Sequence, residues 1–332
     1  MAERVVLHVG LMKSGTTFIQ GRLGANRDLL AEQGVLFPGP TWRRHSEAAK
    51  DLNGSPTAKA GAWASLREEI LAHPGTSVVS MEYLGPMPES RIAVAADDLA
   101  GADVQVVITV RDLGRAVPAM WQESVKNRGT WTWPEYLDGI RNGGEAGKKF
   151  WRQQGSARII ERWVAAFGSD HVTVVTVPPP GSPSELLWDR FCEVAGVSAA
   201  PWLEAPRANE SLGTASVALM AQLNAELADL DKLEYKKKVK ALAKHVLVNH
   251  KEHEDTIGFT VPRWLRKNAD RIVARIADSG VRVVGDLADL TPVDVPGSDP
   301  SEVPAAQVRD AAVAALVDLL RSGGPVKPPA DD

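Results

Sequence analysis

The chain has 332 residues, of which 44% are hydrophobic and 24% charged, with a formal charge of −4. That balance predicts a folded protein with a substantial core. The absence of a basic excess argues against nucleic acid as the main partner, while leaving room for a local basic site that binds a small anion.

Residues 4–10 (RVVLHVG) are apolar and β-branched, as expected of a buried strand. This strand begins so early that no secretory leader fits before it. A glycine-flanked turn follows, then a helical pattern from Thr16 to about Glu32 with Phe18, Ile19, Leu23, Leu29 and Leu30 on its apolar positions. A short strand and turn, VLFPGP, comes next, and further strands are predicted at 77–81, 104–110, 172–177 and 281–284. Between them lie helical patterns at 58–72, 90–100, 113–127 and 156–167. Apolar strands alternating with helices predict an α/β fold, a central, mainly parallel sheet with helices on both faces. Such folds bind ligands beyond the carboxyl ends of their strands.

From about residue 184 the pattern turns helical, at 184–195, 214–228, 232–249, 262–279 and 305–321. We read residues 1–332 as one domain, with an α/β core at 1–183, a mainly helical portion at 184–322 and a mobile tail at 323–332. No apolar run reaches the roughly 18 residues of a membrane span. The lone cysteine, Cys192 in LLWDRFCEVAG, reads as an inert core residue. These features predict a soluble, cytoplasmic protein and leave its oligomeric state open.

The turn after the first strand carries the chemistry. In HVGLMKSGTTFIQ, Gly10 and Gly15 have the spacing of an ATP-binding phosphate loop, G-x-x-x-x-G-K-[ST]. Thr16 stands where the lysine belongs, and the lysine has moved inside the loop as Lys13. Anion binding survives that change. A strand, a tight turn and a helix N-terminus still converge, so amides near residues 14–17 can point at one anion along with the helix dipole. Ser14, Thr16 and Thr17 add hydroxyls and Lys13 adds a charge. What is lost is the lysine that reaches the terminal phosphates of a nucleoside triphosphate.

The segment GLMKSGTTFIQ resembles the 5′-phosphosulfate loop of sulfotransferases that use 3′-phosphoadenosine 5′-phosphosulfate (PAPS). The resemblance implies that Lys13, Ser14, Gly15, Thr16 and Thr17 hold the 5′-phosphate and sulfuryl group, with Lys13 next to the departing bridging oxygen. It also implies a second element, a strand ending in an arginine that forks onto the 3′-phosphate. VQVVITVRDLGRAVPAMWQESV is similar to that element: residues 104–110 are apolar apart from Gln105 and Thr109, and Arg111 follows. One departure stands out. The serine this family places eight residues after the arginine is Ala119 here, with Arg115, Gln122 and Ser124 nearby to replace it. The likeness covers the first 130 residues well. Beyond them, LLWDRFCEVAGV is similar to a W-x-x-F…G helix of the superfamily, and Arg207, Asn209 and Ser211 resemble an R-x-N-x-S segment that leads into a late helix, placed either to reach the nucleotide or, for Ser211, to cap that helix.

The chemistry implied is in-line sulfuryl transfer to a hydroxyl or amine, which requires a base for the acceptor's proton. Two residues compete for that role. His45, in WRRHSEAA, is expected in an exposed, loop-like setting; Glu82, in VVSMEYLGP, lies just past a strand end. His8 alternates with apolar residues inside the first strand and reads as a buried core histidine. The spacing of His245, His250 and His253 does not place all three on one helix face, and no metal is called for. The ten tryptophans outnumber three tyrosines, and Trp42, Trp121, Trp131 and Trp133 suit either core packing or an acceptor pocket. A lysine-rich run, DKLEYKKKVKALAKH, reads as a solvated helix face. The acceptor class expected is a small molecule, sugar or glycolipid-like compound. Two alternatives remain: a Mg-ATP-dependent phosphotransferase, with Asp112 available to the metal, and a catalytically inactive nucleotide-binding protein.

Overall fold

A computed structural model describes residues 2–204 and 211–321. The tail at 323–332, together with Arg207 and Asn209, lies outside the described residues. The chain divides into two compact units, each assembled from three separate stretches.

The first unit comprises residues 1–113, 152–207 and 266–291. Its centre is a parallel sheet of six strands: β1 (Arg4–Gly10), β2 (Val35–Leu36), β3 (Thr76–Ser80), β4 (Asp103–Val110), β5 (Val172–Thr176) and β6 (Arg282–Val284). The order across the sheet is β2-β3-β1-β4-β5-β6. Alternate side chains of each strand feed two separate cores, as the pleat requires. Val5, Leu7 and Val9 of β1 join Val104, Val106, Ile108 and Val110 of β4 and Val79 of β3 on one face, beneath Leu66, Ile70, Ile92, Ile160 and Trp163. Val6, Val78, Val107 and Val175 point to the other face, covered by Ile19, Leu23, Leu30, Trp188 and Phe191. Burial on both faces explains why these strands read as nearly continuous apolar runs.

This order places a switch point beside β1. The chain leaves β1 toward β2 and β3 on one side and leaves β4 toward β5 and β6 on the other, so the connections diverge at adjacent strand ends. The glycine turn and Arg111 both emerge there.

Two helices depart from expectation within this unit. The pattern at 16–32 breaks into Thr16–Ala25 and Arg27–Glu32. At the break, the Asn26 amide donates to the carbonyls of Arg22 (2.8 Å) and Leu203 (2.9 Å), and its carbonyl accepts from the Leu203 amide (2.7 Å). An asparagine that bonds nearby backbone competes with helix continuation. The second departure is a helix at Trp42–Leu52, where a loop was expected. Its inner face is made of His45, Ser46, Ala48, Ala49 and Leu52, too small and polar for hydrophobic periodicity to reveal.

The second unit, residues 114–151, 208–265 and 292–332, is mainly helical where described. Helix Trp133–Asn142 opens with a capping box between Thr132 and Glu135. Trp133 packs against Trp121 (5.2 Å between ring centroids) and edge-on to Phe259 (5.3 Å), and both tryptophans are buried. These two indoles therefore serve chiefly as core, although Trp133 also borders, with Phe259 and Trp264, a cavity of about 590 Å³. The helix expected at 232–249 is instead Lys232–Tyr235, a π-helical stretch Lys236–Lys240, Ala241–His245 and a 3₁₀ stretch Leu247–His253. No helix among the described residues is long and apolar enough to cross a membrane.

Candidate functional site: an anion loop at the β1 and β4 strand ends

The loop between β1 and helix Thr16–Ala25 holds three residues in the left-handed region: Gly10 (φ 76°), Lys13 (φ 61°) and Gly15 (φ 82°). Gly10 is required by space as well as by φ, whereas Gly15 is required chiefly by φ, since its Cβ would meet only the end of a flexible leucine side chain. A Cβ on Gly10 would stand 2.7 Å from Glu82 Cβ and 2.9 Å from Glu82 Cα, and one on Gly15 would stand 2.4 Å from Leu187 Cδ2. Lys13 has no such freedom, and a lysine in this region is held there by its surroundings. The holding groups are identifiable. The Leu11 amide donates to the Thr109 carbonyl of β4 (2.8 Å), and the Ser14 amide closes a turn onto the Leu11 carbonyl (3.2 Å). The carbonyl of Met12 accepts from Gln154 Nε2 (2.6 Å), and that of Lys13 accepts from Arg111 Nη1 (3.3 Å). Two consecutive carbonyls are thereby tied down.

The first helical bond runs from the Ile19 amide to the Gly15 carbonyl (3.1 Å), so the amides of residues 16–18 precede the helical ladder. Helix Thr16–Ala25 has Gly15 as N-cap with no side-chain cap, and no acidic residue in its first turn. Its own first turn therefore supplies no carboxylate to complement the helix dipole. Ser14 is fully buried and its Oγ has no hydrogen-bond partner among the described residues. A buried hydroxyl without a partner costs free energy, and a bound anion would supply the missing acceptor. Of the amides expected near residues 14–17, that of Ser14 is spent on the turn.

Arg111 leaves β4 directly beside this loop, half-buried, and Asp112 after it is buried. Gln122, one of three candidates to compensate for Ala119, is committed elsewhere. Its amide donates to the Leu212 carbonyl (3.1 Å) and accepts from the Leu212 amide (3.2 Å).

Comparison with known proteins adds little to this geometry. No family model matches the sequence, and no curated protein matches it. Among solved structures, a sulfotransferase from Alicyclobacillus acidocaldarius aligns with 70% of this chain and 98% of its own, at 19% identity and a TM-score of 0.39. That likeness is too distant to assign a function.

The structure separates the two base candidates. His45 is not in an exposed loop. It lies on helix Trp42–Leu52 and is fully buried, its ring 4.4 Å from that of Phe37. Its Nε2 donates to the Pro38 carbonyl (2.8 Å) and its Nδ1 accepts from the Ser80 amide (3.3 Å). Burial pushes its pKa down to about 4, opposed by the Pro38 carbonyl and reinforced by Arg27 and Arg44. An imidazole with both nitrogens engaged and no exposed surface would have to leave its partners before it could take an acceptor's proton. Glu82 is the opposite case. It is half-buried, stands against Gly10, and its Oε2 accepts from Gln20 Nε2 (3.0 Å), which also donates to the Ser80 carbonyl (3.2 Å).

Gln20 and Gln154 were not singled out from the sequence. Gln20 follows Thr16 by one helical turn, so its place on the loop-facing side was readable from i, i+4 spacing. Gln154 is far away in sequence, and nothing local marks it. His8 is buried as expected, bonded to Ser80 and Thr109.

Proposed function

We propose that this protein transfers a sulfuryl group from PAPS to a hydroxyl or amine of a small-molecule, sugar or lipid-like acceptor. The observation that carries the reading is the juxtaposition, at the switch point, of the glycine loop after β1 and the arginine that ends β4, with Arg111 bonded to the carbonyl of Lys13. A loop for one phosphate alone has no need of a second cationic strand end. A cofactor phosphorylated at both ends of its ribose does.

The residues present fit such a group. When bound, PAPS supplies an activated sulfuryl group on its 5′-phosphate. The Ser14 hydroxyl, the amides of residues 16–18 and the hydroxyls of Thr16 and Thr17 hold the 5′-phosphosulfate. The Lys13 ammonium would offset charge on the leaving oxygen, a form of electrostatic stabilisation. Arg111 takes the 3′-phosphate. Glu82 accepts the proton of the attacking hydroxyl or amine, and Gln20 holds its carboxylate in place.

The missing lysine at Thr16 favours this reading over Mg-ATP-dependent phosphoryl transfer. The test is transfer of radiolabelled sulfate from PAPS across a panel of phenols, amines, sugars and glycolipids. Labelled product formed by wild-type protein and lost in Glu82→Gln supports the assignment. No transfer to any acceptor, combined with phosphoryl transfer from Mg-ATP, refutes it.

A further inference from the structure

His8 belongs to the central strand of the sheet and has no place in the chemistry above, yet it is the side chain that joins the three strand ends at the site. Its Nδ1 lies 2.7 Å from Ser80 Oγ on β3, and its Nε2 lies 3.2 Å from Thr109 Oγ1 on β4. All three side chains are fully buried, and the imidazole rests 5.3 Å from the Phe191 ring. Ser80 is two residues before Glu82, Thr109 is two residues before Arg111, and the loop begins two residues after His8.

The backbone at this level is not self-sufficient. β1 and β3 are in register through His8 and Ser80. Between β1 and β4 the ladder shifts, His8 pairing with Val107 and Gly10 with Ile108. Such an irregularity leaves residues without ladder partners and bends the strand. The bond from His8 to Thr109 spans it, and the Leu11 amide then rejoins the Thr109 carbonyl. Burial pushes the His8 pKa down to about 3, so the ring is neutral with one donor and one acceptor nitrogen. One hydroxyl must therefore donate and the other accept, which gives the chain of bonds a single direction.

We propose that His8 is a positioning residue, a cross-strand clamp that sets the placement of Glu82 on one side of the loop and Arg111 on the other. The proposal rests on the sulfotransferase reading for the roles of those two residues. Its distinctive consequence is that the two bonds affect different steps. Loss of the Ser80 bond disturbs the Glu82 side and loss of the Thr109 bond disturbs the Arg111 side.

The test uses Ser80→Ala and Thr109→Val in the full chain, with Thr109→Ser as a variant that keeps the hydroxyl. Thr109→Val is expected to weaken binding of 3′-phosphoadenosine 5′-phosphate about tenfold with a smaller change in kcat, and Thr109→Ser to restore it. Ser80→Ala is expected to lower kcat about tenfold with nucleotide affinity nearly unchanged. Amide hydrogen exchange on the free protein supplies a readout independent of nucleotide. Faster exchange confined to residues 9–13 in Thr109→Val and to residues 80–84 in Ser80→Ala supports the clamp. Exchange that rises uniformly, or Kd and kcat that move together in both variants, overturns it and leaves His8 as ordinary core. If wild-type protein binds no nucleotide, the sulfotransferase reading fails, and the local or uniform pattern of exchange still decides the clamp.

Discussion

Lowering the pH from 7 to 5 should destabilise this fold through His8 and His45 together. Burial holds the native pKa values near 3 and near 4, against an ordinary value of 6.5. The native state therefore excludes protons that the unfolded chain binds. The stability associated with neutral imidazoles is present in full above pH 6.5 and is lost as the pH falls toward the native values. At pH 5 the unfolded form of each histidine gains about 2 kcal/mol relative to pH 7, so the pair accounts for about 4 kcal/mol. That is a large share of the 5–15 kcal/mol typical of a globular protein. Urea unfolding at pH 7, 6 and 5 measures the loss, and calorimetry in buffers of different ionisation enthalpy should find about two protons taken up on unfolding near pH 5. His45→Gln, though less stable at every pH, should lose stability about half as steeply. The reasoning is refuted if stability is flat from pH 7 to 5, or if nuclear magnetic resonance finds both imidazoles titrating near 6.5.

Gly15→Ala should weaken binding of 3′-phosphoadenosine 5′-phosphate and cost about 1–3 kcal/mol in urea unfolding, chiefly because its φ is 82°, with the Leu187 side chain, 2.4 Å from the new Cβ, obliged to turn aside. Wild-type affinity in that variant would mean the loop is looser than described. Glu82→Gln should lower kcat by about 10²–10⁴ while nucleotide affinity in calorimetry is retained; a variant that keeps full turnover would remove Glu82 as the base. Asn26→Ala deletes three hydrogen bonds of 2.7–2.9 Å, one buried and two part-buried, and should lower stability by about 2–3 kcal/mol, with no effect on nucleotide affinity. A neutral result in denaturant melts would show that those bonds are replaced by water.

Much of this was readable before any coordinates. Strands buried on both faces read as nearly continuous apolar runs, so β1, β3, β4 and β5 stand out in the sequence within a residue or two of their ends. The loop was legible because its demands on the chain are local: two glycines at left-handed positions, hydroxyls at a helix start and a lysine between them. What escaped reading depends on partners far apart in the chain. Helix Trp42–Leu52 buries alanines and a histidine, so its inner face looks polar, and His45 passes for a surface residue until Pro38 and Ser80 are seen to occupy its ring. Asn26 breaks a helix because Leu203 comes to meet it, and Gln154 restrains Met12 across 142 positions. Lys236–Lys240 has the composition of an ordinary helix, and nothing in it announces a π-helical turn.

Calorimetric titration with 3′-phosphoadenosine 5′-phosphate in the absence of divalent metal, set beside titration with Mg-ATP, probes the proposed site most directly. Metal-independent binding of the former, weakened at least tenfold in both Lys13→Ala and Arg111→Ala, is the predicted result. Preference for Mg-ATP, or affinity for the bisphosphate that neither substitution reduces, would contradict it.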